Sequence, residues 1–537
     1  MTISLPKSGS DRLIVAALIA LWAVIYVPNL RTNPNWYGDE GIVLEEAITL
    51  ASGVPRYGPI EFNFLSPNPH PPLYLLALAL PMKFFGPDIV YGRALQACVG
   101  LATAAIAVWV GSLLLGRKFG FLCAAILLTY PEAALHYRWV RSHPMQGMIS
   151  LACVGFLIRY LQCGRSRDML LASLMATIAL GVHYLAFPLI AIVAVTVFIK
   201  NRRDLPLALV VSFSFPVFFG AWIVFFQSGD GNSIFNQLGA AFQQGLKTSQ
   251  PNPTEELWRI YRTTLEFVFL TPTINRMGLV GADLWITGGF IGICLFPNNI
   301  FRKWLVFFAC TLMVGVFVAR DNPLVFMYRT FAFLPLFGIG LAGGLQRIGL
   351  WLAQFHEPRM KILRIVPSLI VLTICGAVSI EASLGDMRSK IDRWTVQSSN
   401  DAERVMDYVN GSTGPADYVV MPDQLFWLYR WTRKAQLIHC AKFDFNIEEN
   451  SAAGVPKERY WFDPSIGNAK YLVLAAGNRP DGVPVGIDAV FWLGYEGPRR
   501  VFEKVQNEKW PVVFQSGEYT VFSNPRLVEN LSPRDVR

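Results

Sequence analysis

Between residues 13 and 382 the chain is a series of apolar runs separated by short basic stretches, a pattern with few ways to fold outside a bilayer. The first run, Leu13 to Leu30, follows Lys7 and Arg12 and has no small-x-small cleavage site before Arg31, so it reads as a retained span and not a removed signal. Further runs lie near 71–86, 92–115, 119–135, 144–162, 169–200, 205–227, 278–296, 304–319, 330–352 and 365–382. Composition agrees: 53% of residues are hydrophobic and 16% charged, against roughly 45–50% and about 25% in soluble domains, which excludes an ordinary soluble enzyme. The net charge of +9 does not point to nucleic acid, because the cations punctuate the apolar runs and form no basic surface.

Two runs decide the topology. The run at 71–86 gives only about 24 Å of helix, short of a hydrocarbon core of about 30 Å. If it does not cross, Arg117/Lys118, Arg165/Arg167, Lys200/Arg202/Arg203, Arg302/Lys303 and Arg359/Lys361/Arg364 all share the side of Lys7 and Arg12, as the positive-inside rule prefers. The run at 169–200 would be about 48 Å as one helix, so two passes with a turn near His183 and Tyr184 are expected. The expected fold class is therefore an all-α polytopic membrane protein of about 11 spans, amino terminus inside, with a small α/β domain outside.

The domains follow: a transmembrane module over 1–382 and an outer domain over 383–537. The module carries a first outer loop at 31–91 and a second at 228–277, whose interleaved Glu255, Glu256, Trp258, Arg259, Tyr261, Arg262 and Glu266 read as an interfacial amphipathic helix. In the outer domain, helices are expected at Asn400 to Val409, Gln424 to Lys434 and Gly497 to Glu508. Strands are expected at Tyr418 to Met421, Gln436 to Cys440 and Tyr471 to Ala475, with a closing hairpin from Val512 to Phe522 around Gly517. The eight cysteines show no CxxC spacing, and all but Cys440 lie in or beside apolar segments, so they read as small buried hydrophobes.

Ionisable residues at the outer boundary are where chemistry is sought, since a charge beside lipid is costly without a partner or a purpose. Asp39 and Glu40 follow the first span and open a helical segment to about Ser52, closed by Gly53; Asp39 can act there as a cap or as a base. In the same loop, His70-Pro71-Pro72-Leu73 starts an apolar helix lying on or dipping into the bilayer. With Arg93 opening the second span and the segment from Arg329 to Pro335, these elements resemble the GT-C superfamily of membrane glycosyltransferases. The resemblance is to the branch of protein O-mannosyltransferases and lipid A aminoarabinose transferases, and it is best over about the first 200 residues.

The resemblance implies a sugar donor on a polyprenyl phosphate and an acceptor hydroxyl on the outer side, belonging to a lipid, a glycan or a protein. Asp39 is then the base that takes the hydroxyl proton, while Glu40 orients Asp39, binds a cation or solvates the loop. Arg93, Arg138, Arg141 and Arg329 lie at outer boundaries and are candidates for the donor phosphate, each with snorkelling to headgroups as the alternative. His70 either hydrogen-bonds that phosphate or fixes the loop. A divalent cation (Mg2+ or Mn2+) is a further candidate; Glu61, Glu45 and Glu46 are possible ligands, although a solvated helix face explains the last two. Ser142 and His143 stand where many relatives carry an acid, and His183 reads as a hairpin residue.

There is no GxxxxGK[ST] element to drive transport by ATP, and no Trp-Trp-Asp element of oligosaccharyltransferases; Trp461-Phe462-Asp463 is too different. The alternative function is a transporter or scramblase of lipid-linked sugars, which calls for midplane polar residues and internal repeats that the sequence does not offer. The expected location is a bacterial plasma (inner) membrane, with the carboxyl-terminal domain periplasmic or extracellular.

Overall fold

The computed structural model describes residues 9–34, 36, 38–53, 56–57, 59–61, 72–226, 284–317, 333–354, 364–385, 398–437, 439–440, 460–475, 477–478, 484–485 and 496–527. Of some of these, Asp39 among them, it describes the backbone and not the side chain. The apolar runs become helices: α1 (Gly9–Tyr26), α2 (Gly38–Ser52), α3 (Pro72–Phe85), α4 (Ile89–Leu115), α5 (Arg117–Thr129), α6 (Pro131–His136), α7 (Ser142–Cys163), α8 (Ser166–Val182), α9 (Pro188–Asn201) and α10 (Leu205–Phe226). After them come α11 (Leu284–Cys294), α12 (Asn299–Phe317), α13 (Leu334–Leu352) and α14 (Val366–Leu384). Among the described residues α1, α4, α7 and α14 are long and apolar enough to cross a membrane.

Both decisive runs are helical, the second in two pieces. The first becomes α3, begun by Pro72 and only 14 residues long. It buries Tyr74, Leu75, Leu78 and Met82 while leaving Leu80 and Phe84 exposed. The second divides into α8 and α9 around a tight turn, Tyr184–Ala186. Polarity is inverted relative to a soluble protein: Leu13, Val210 and Phe218 are exposed, whereas Arg93, Gln96 and Arg138 are buried. Such a surface is stable against lipid, and the chain is an integral membrane protein.

Small residues let two of these helices meet backbone to backbone. A Cβ on Gly292 of α11 would stand 2.1 Å from the Gly340 carbonyl oxygen of α13, and one on Gly340 would stand 2.3 Å from that of Gly289.

The carboxyl-terminal domain, called the outer domain after the side expected for it from the sequence, is a mixed five-stranded sheet with helices against it. Two short hairpins accompany it, β1 (Arg56–Tyr57) with β2 (Ile60–Glu61) and β6 (Gly477–Asn478) with β7 (Pro484–Val485). The sheet itself uses β3 (Val419–Val420), β4 (Lys434–Ala435), β5 (Tyr471–Ala475), β8 (Val512–Ser516) and β9 (Tyr519–Ser523), in the order β4-β3-β5-β9-β8. The β3 strand is parallel to both neighbours and β9 antiparallel to both of its own. The helices are α15 (Ser399–Gly411), capped by the Ser398 side chain, and α16 (Glu496–Asn507).

Strand alternation divides two cores. Val420, Leu472 and Leu474 pack with Val501, Val505 and Trp510 on one face. On the other, Val419, Tyr471 and Val473 join a core that runs through Phe426 and α2 into the helical bundle. The expected helix over Gln424 to Lys434 is instead a 3-10 segment, Asp423–Leu428, followed by β4. The expected strand at Gln436 to Cys440 lies two residues earlier, at Lys434–Ala435. The amphipathic segment expected within 228–277 lies outside the described residues.

Replacing Gly340 by Val adds atoms where two backbones already touch. It is expected to destabilise the protein by about 1–3 kcal/mol, the usual cost of overpacking, read as a lowered melting temperature of the purified protein in detergent.

Candidate active site

The link between α1 and α2 turns the chain from the bundle to its outer end, and two buried arginines hold it. Arg138, between α6 and α7, gives Nε to the Asn33 carbonyl at 3.1 Å, Nη1 to that of Ile25 at 2.9 Å, and Nη2 to those of Asn33 at 2.6 Å and of Pro28. These carbonyls lie at and just after the carboxyl end of α1, where no intrahelical donor is available, so a cation there is favoured. Burial, and then the like charge of Arg93, push the pKa of Arg138 down. Asn33 in turn donates to the carbonyls of Ala382, Ser383 and Gly385 at the end of α14, at 3.0, 3.2 and 3.3 Å.

Arg93, in the first turn of α4, makes a two-pronged contact with Glu40: Nε to Oε1 at 3.1 Å and Nη2 to Oε2 at 2.7 Å. Its Nη1 donates to the Leu30 and Pro34 carbonyls at 2.9 and 2.7 Å. Glu40 Oε1 also accepts the Val140 backbone amide at 2.9 Å. Both side chains are essentially inaccessible, at 0% for Arg93 and 1% for Glu40. A carboxylate so held has its oxygens engaged by a guanidinium and a backbone amide. These contacts fix the first turn of α2, in which Asp39 stands next to Glu40.

The outer domain clasps the same helix. Glu45 of α2 pairs with Lys434 of β4 at 2.9 Å, and Lys434 Nζ also reaches the Phe426 carbonyl at 2.6 Å. Trp36 and Trp427 meet edge to face with centroids 5.2 Å apart, and the Trp36 amide donates to Ser399 Oγ at 3.1 Å. Arg31 bridges Asp88 at 2.6 Å and Glu403 of α15 at 2.5 Å. Gly41 is where α2 comes closest to the outer domain: a Cβ there would stand 1.9 Å from the Asp423 carbonyl oxygen. The solvated face expected for Glu45 and Glu46 is not what forms: both are buried, Glu45 against Lys434 of β4.

A second cluster lies where α3 meets α4 and α7. Gln96 Nε2 donates to Tyr74 Oη and to the Arg141 carbonyl, both at 2.5 Å. The Arg141 guanidinium carbon lies 5.7 Å from the Trp139 ring centroid. Burial, and then the Arg141 charge, hold His136 well below the usual imidazole range. His143 and His183 lie with ring centroids 4.3 Å apart, joining the start of α7 to the turn after α8.

Thus the structure joins Glu40, Arg93 and Arg138 in one frame and sets Arg141 beside Tyr74 and Gln96. Asp39 is in the first turn of α2, whereas His70 and Arg329 lie outside the described residues. Lys434, Gly41, Asn33 and Gln96 were not singled out from the sequence, which carries no local signal for partners so far away. Among the described residues no three of His, Cys, Asp and Glu converge as a metal site would require.

No family model matches the chain, and no curated protein matches it in sequence. Solved structures do. The crystal structure of ArnT from Cupriavidus metallidurans bound to undecaprenyl phosphate superposes with a TM-score of 0.63 at 14% identity, covering 96% of this chain and 98% of that one. The same protein in the apo state gives 0.59 at 14% identity, covering 98% and 99%. An Archaeoglobus fulgidus oligosaccharyltransferase, in complex with Zn and sulfate, gives 0.52 at 11% identity, covering 86% and 67%. These are glycosyltransferases of the GT-C superfamily, and the chain has their fold.

Changing Arg93 to Leu leaves Glu40 charged and buried. A loss of about 3–5 kcal/mol is expected, with partial recovery when Glu40 is changed to Leu as well, both followed by thermal unfolding in detergent.

Proposed function

We propose that the protein is an integral-membrane glycosyltransferase that moves one sugar from a polyprenyl-phosphate donor to an acceptor hydroxyl of a lipid, glycan or protein on the outer face of the membrane. The observation that carries this reading is the clamp on α2: the helix whose first turn holds Asp39 is fixed to the bundle through Glu40 and Arg93 and to the outer domain through Glu45 and Lys434. Such a clamp gives a base a fixed position, which proton transfer requires. The fold likeness to a protein captured with undecaprenyl phosphate supports the donor class.

In the proposed reaction Asp39 takes the hydroxyl proton as the acceptor oxygen bonds to the anomeric carbon and the carbon–oxygen bond to phosphate breaks. One displacement inverts that carbon and releases polyprenyl phosphate. Arg141 and Arg329, with His70, receive the developing phosphate charge. Arg93 and Arg138 are assigned to positioning, because their donors already hold Glu40 and backbone carbonyls. Mg2+ or Mn2+ would supply further charge to the leaving phosphate; among the described residues no three of His, Cys, Asp and Glu converge to hold it. The buried ionisable groups around the α1–α2 link are engaged with one another and with backbone carbonyls, an arrangement that suits a fixed frame better than a transport path. The reading keeps about 11 spans, the amino terminus cytoplasmic, and the outer domain periplasmic or extracellular.

The test is transfer of radiolabel from a panel of polyprenyl-phosphate sugars, by purified wild-type protein and Asp39→Asn, with and without chelator. The variant is expected to turn over about 10²- to 10⁴-fold more slowly with an unchanged melting temperature. Transfer by Asp39→Asn at the wild-type rate would remove Asp39 as the base.

A further inference from the structure

A cavity of about 770 Å³ opens between the amino-terminal half of α1, the start of α5, the end of α13 and the start of α14. It is at the end of α1 opposite the link that leads to Asp39, so it is separate from the candidate active site. Its walls are apolar, with Leu18, Leu122, Leu350 and Leu369 among them, and its size falls within the roughly 300–1,000 Å³ of ligand pockets. Ile14, Ile365 and Leu369 line it and are exposed, so it is open on the side that faces lipid.

Three features point to a phosphorylated head group. Lys118 and Arg364 both line the cavity, and among the described residues neither is in an ion pair. Lys118 lies in the first turn of α5, and Arg364 stands two residues before α14, so two helix amino-terminal ends add their positive partial charge beside them. Gln346, on α13, presents a buried Oε1 that has no hydrogen-bond partner. An acceptor of that kind is costly to leave unmade and calls for a ligand with a donor.

We propose that this cavity binds an anionic glycerophospholipid. Its phosphate lies between Lys118 and Arg364, an acyl chain follows the α1–α14 wall, and a head-group hydroxyl donates to Gln346. Basic pockets between membrane helices recognise lipid head groups in this way. The hydroxyl separates this occupant from a polyprenyl monophosphate, whose ionised head offers Gln346 only acceptors.

The experiment is native mass spectrometry of the full-length protein in detergent, titrated with phosphatidylglycerol, phosphatidic acid, phosphatidylcholine and polyprenyl phosphate. Wild type is expected to hold one phosphatidylglycerol more tightly than phosphatidylcholine. The double variant Lys118→Ala/Arg364→Ala is expected to bind it about 30-fold more weakly, from about 1 kcal/mol per basic residue. Gln346→Leu is expected to erase the preference for phosphatidylglycerol over phosphatidic acid while keeping the preference over phosphatidylcholine. Unchanged affinity in the double variant, equal binding of phosphatidylcholine by wild type, or tighter binding of polyprenyl phosphate at this site would each overturn the proposal. None of these readouts depends on transfer activity.

Discussion

The pairing of Arg93 with Glu40 is the contact on which the outer end of the molecule depends. Two opposite charges in an apolar bundle gain from each other but lose their water, and the balance is favourable only when the remaining donors and lone pairs are also used. Here they are: the guanidinium reaches the Leu30 and Pro34 carbonyls, and the carboxylate accepts the Val140 amide. One ion pair thereby ties α4 to the link after α1, to the first turn of α2 and to the segment before α7. Arg138 repeats the device a few ångströms of backbone away, neutralising partial charges where Arg93 neutralises a full one.

From that anchor α2 extends between two bodies of structure that are remote in sequence. Its Glu45 finds Lys434 across 389 positions, and Arg31 finds Glu403 across 372. The hydrophobic core is continuous through this helix, from α4 and α7 to Phe426 and the inner face of the sheet. The outer domain is therefore part of the platform that carries Asp39. Gly41 makes the approach possible, since any side chain there would collide with the Asp423 backbone.

What could be read from the sequence was whatever local physics dictates. Apolar length and basic punctuation gave the helices and the divided run at α8 and α9, while positive φ at Gly53 and Gly517 closes α2 and the last hairpin where glycine had marked them. The short apolar run Tyr471–Ala475 forms the strand expected of it, buried at every position. The misread elements are those decided at a distance. Gln424 to Lys434 has a helical pattern, yet Lys434 is drawn out of it by Glu45 and the Phe426 carbonyl. Glu45 looks solvated until Lys434, hundreds of residues later in the chain, pairs with it. Arg93 and Arg138 were legible as boundary cations, but their partners are mainly backbone carbonyls, which no side-chain pattern announces.

The same distinction orders the cations by task. An arginine whose charge is cancelled by Glu40, or whose donors close a helix end, has little left to offer a phosphate, however near it lies. In the proposed reaction the leaving lipid phosphate would therefore meet cations outside this frame; Arg141, three residues after Arg138, has other neighbours, its carbonyl accepting from Gln96 and its guanidinium lying by the Trp139 ring. A rigid frame and a receptive charge demand opposite degrees of saturation. Arg138 and Arg141, three residues apart, stand among different neighbours, the one closing the end of α1 and the other beside Gln96 and Trp139.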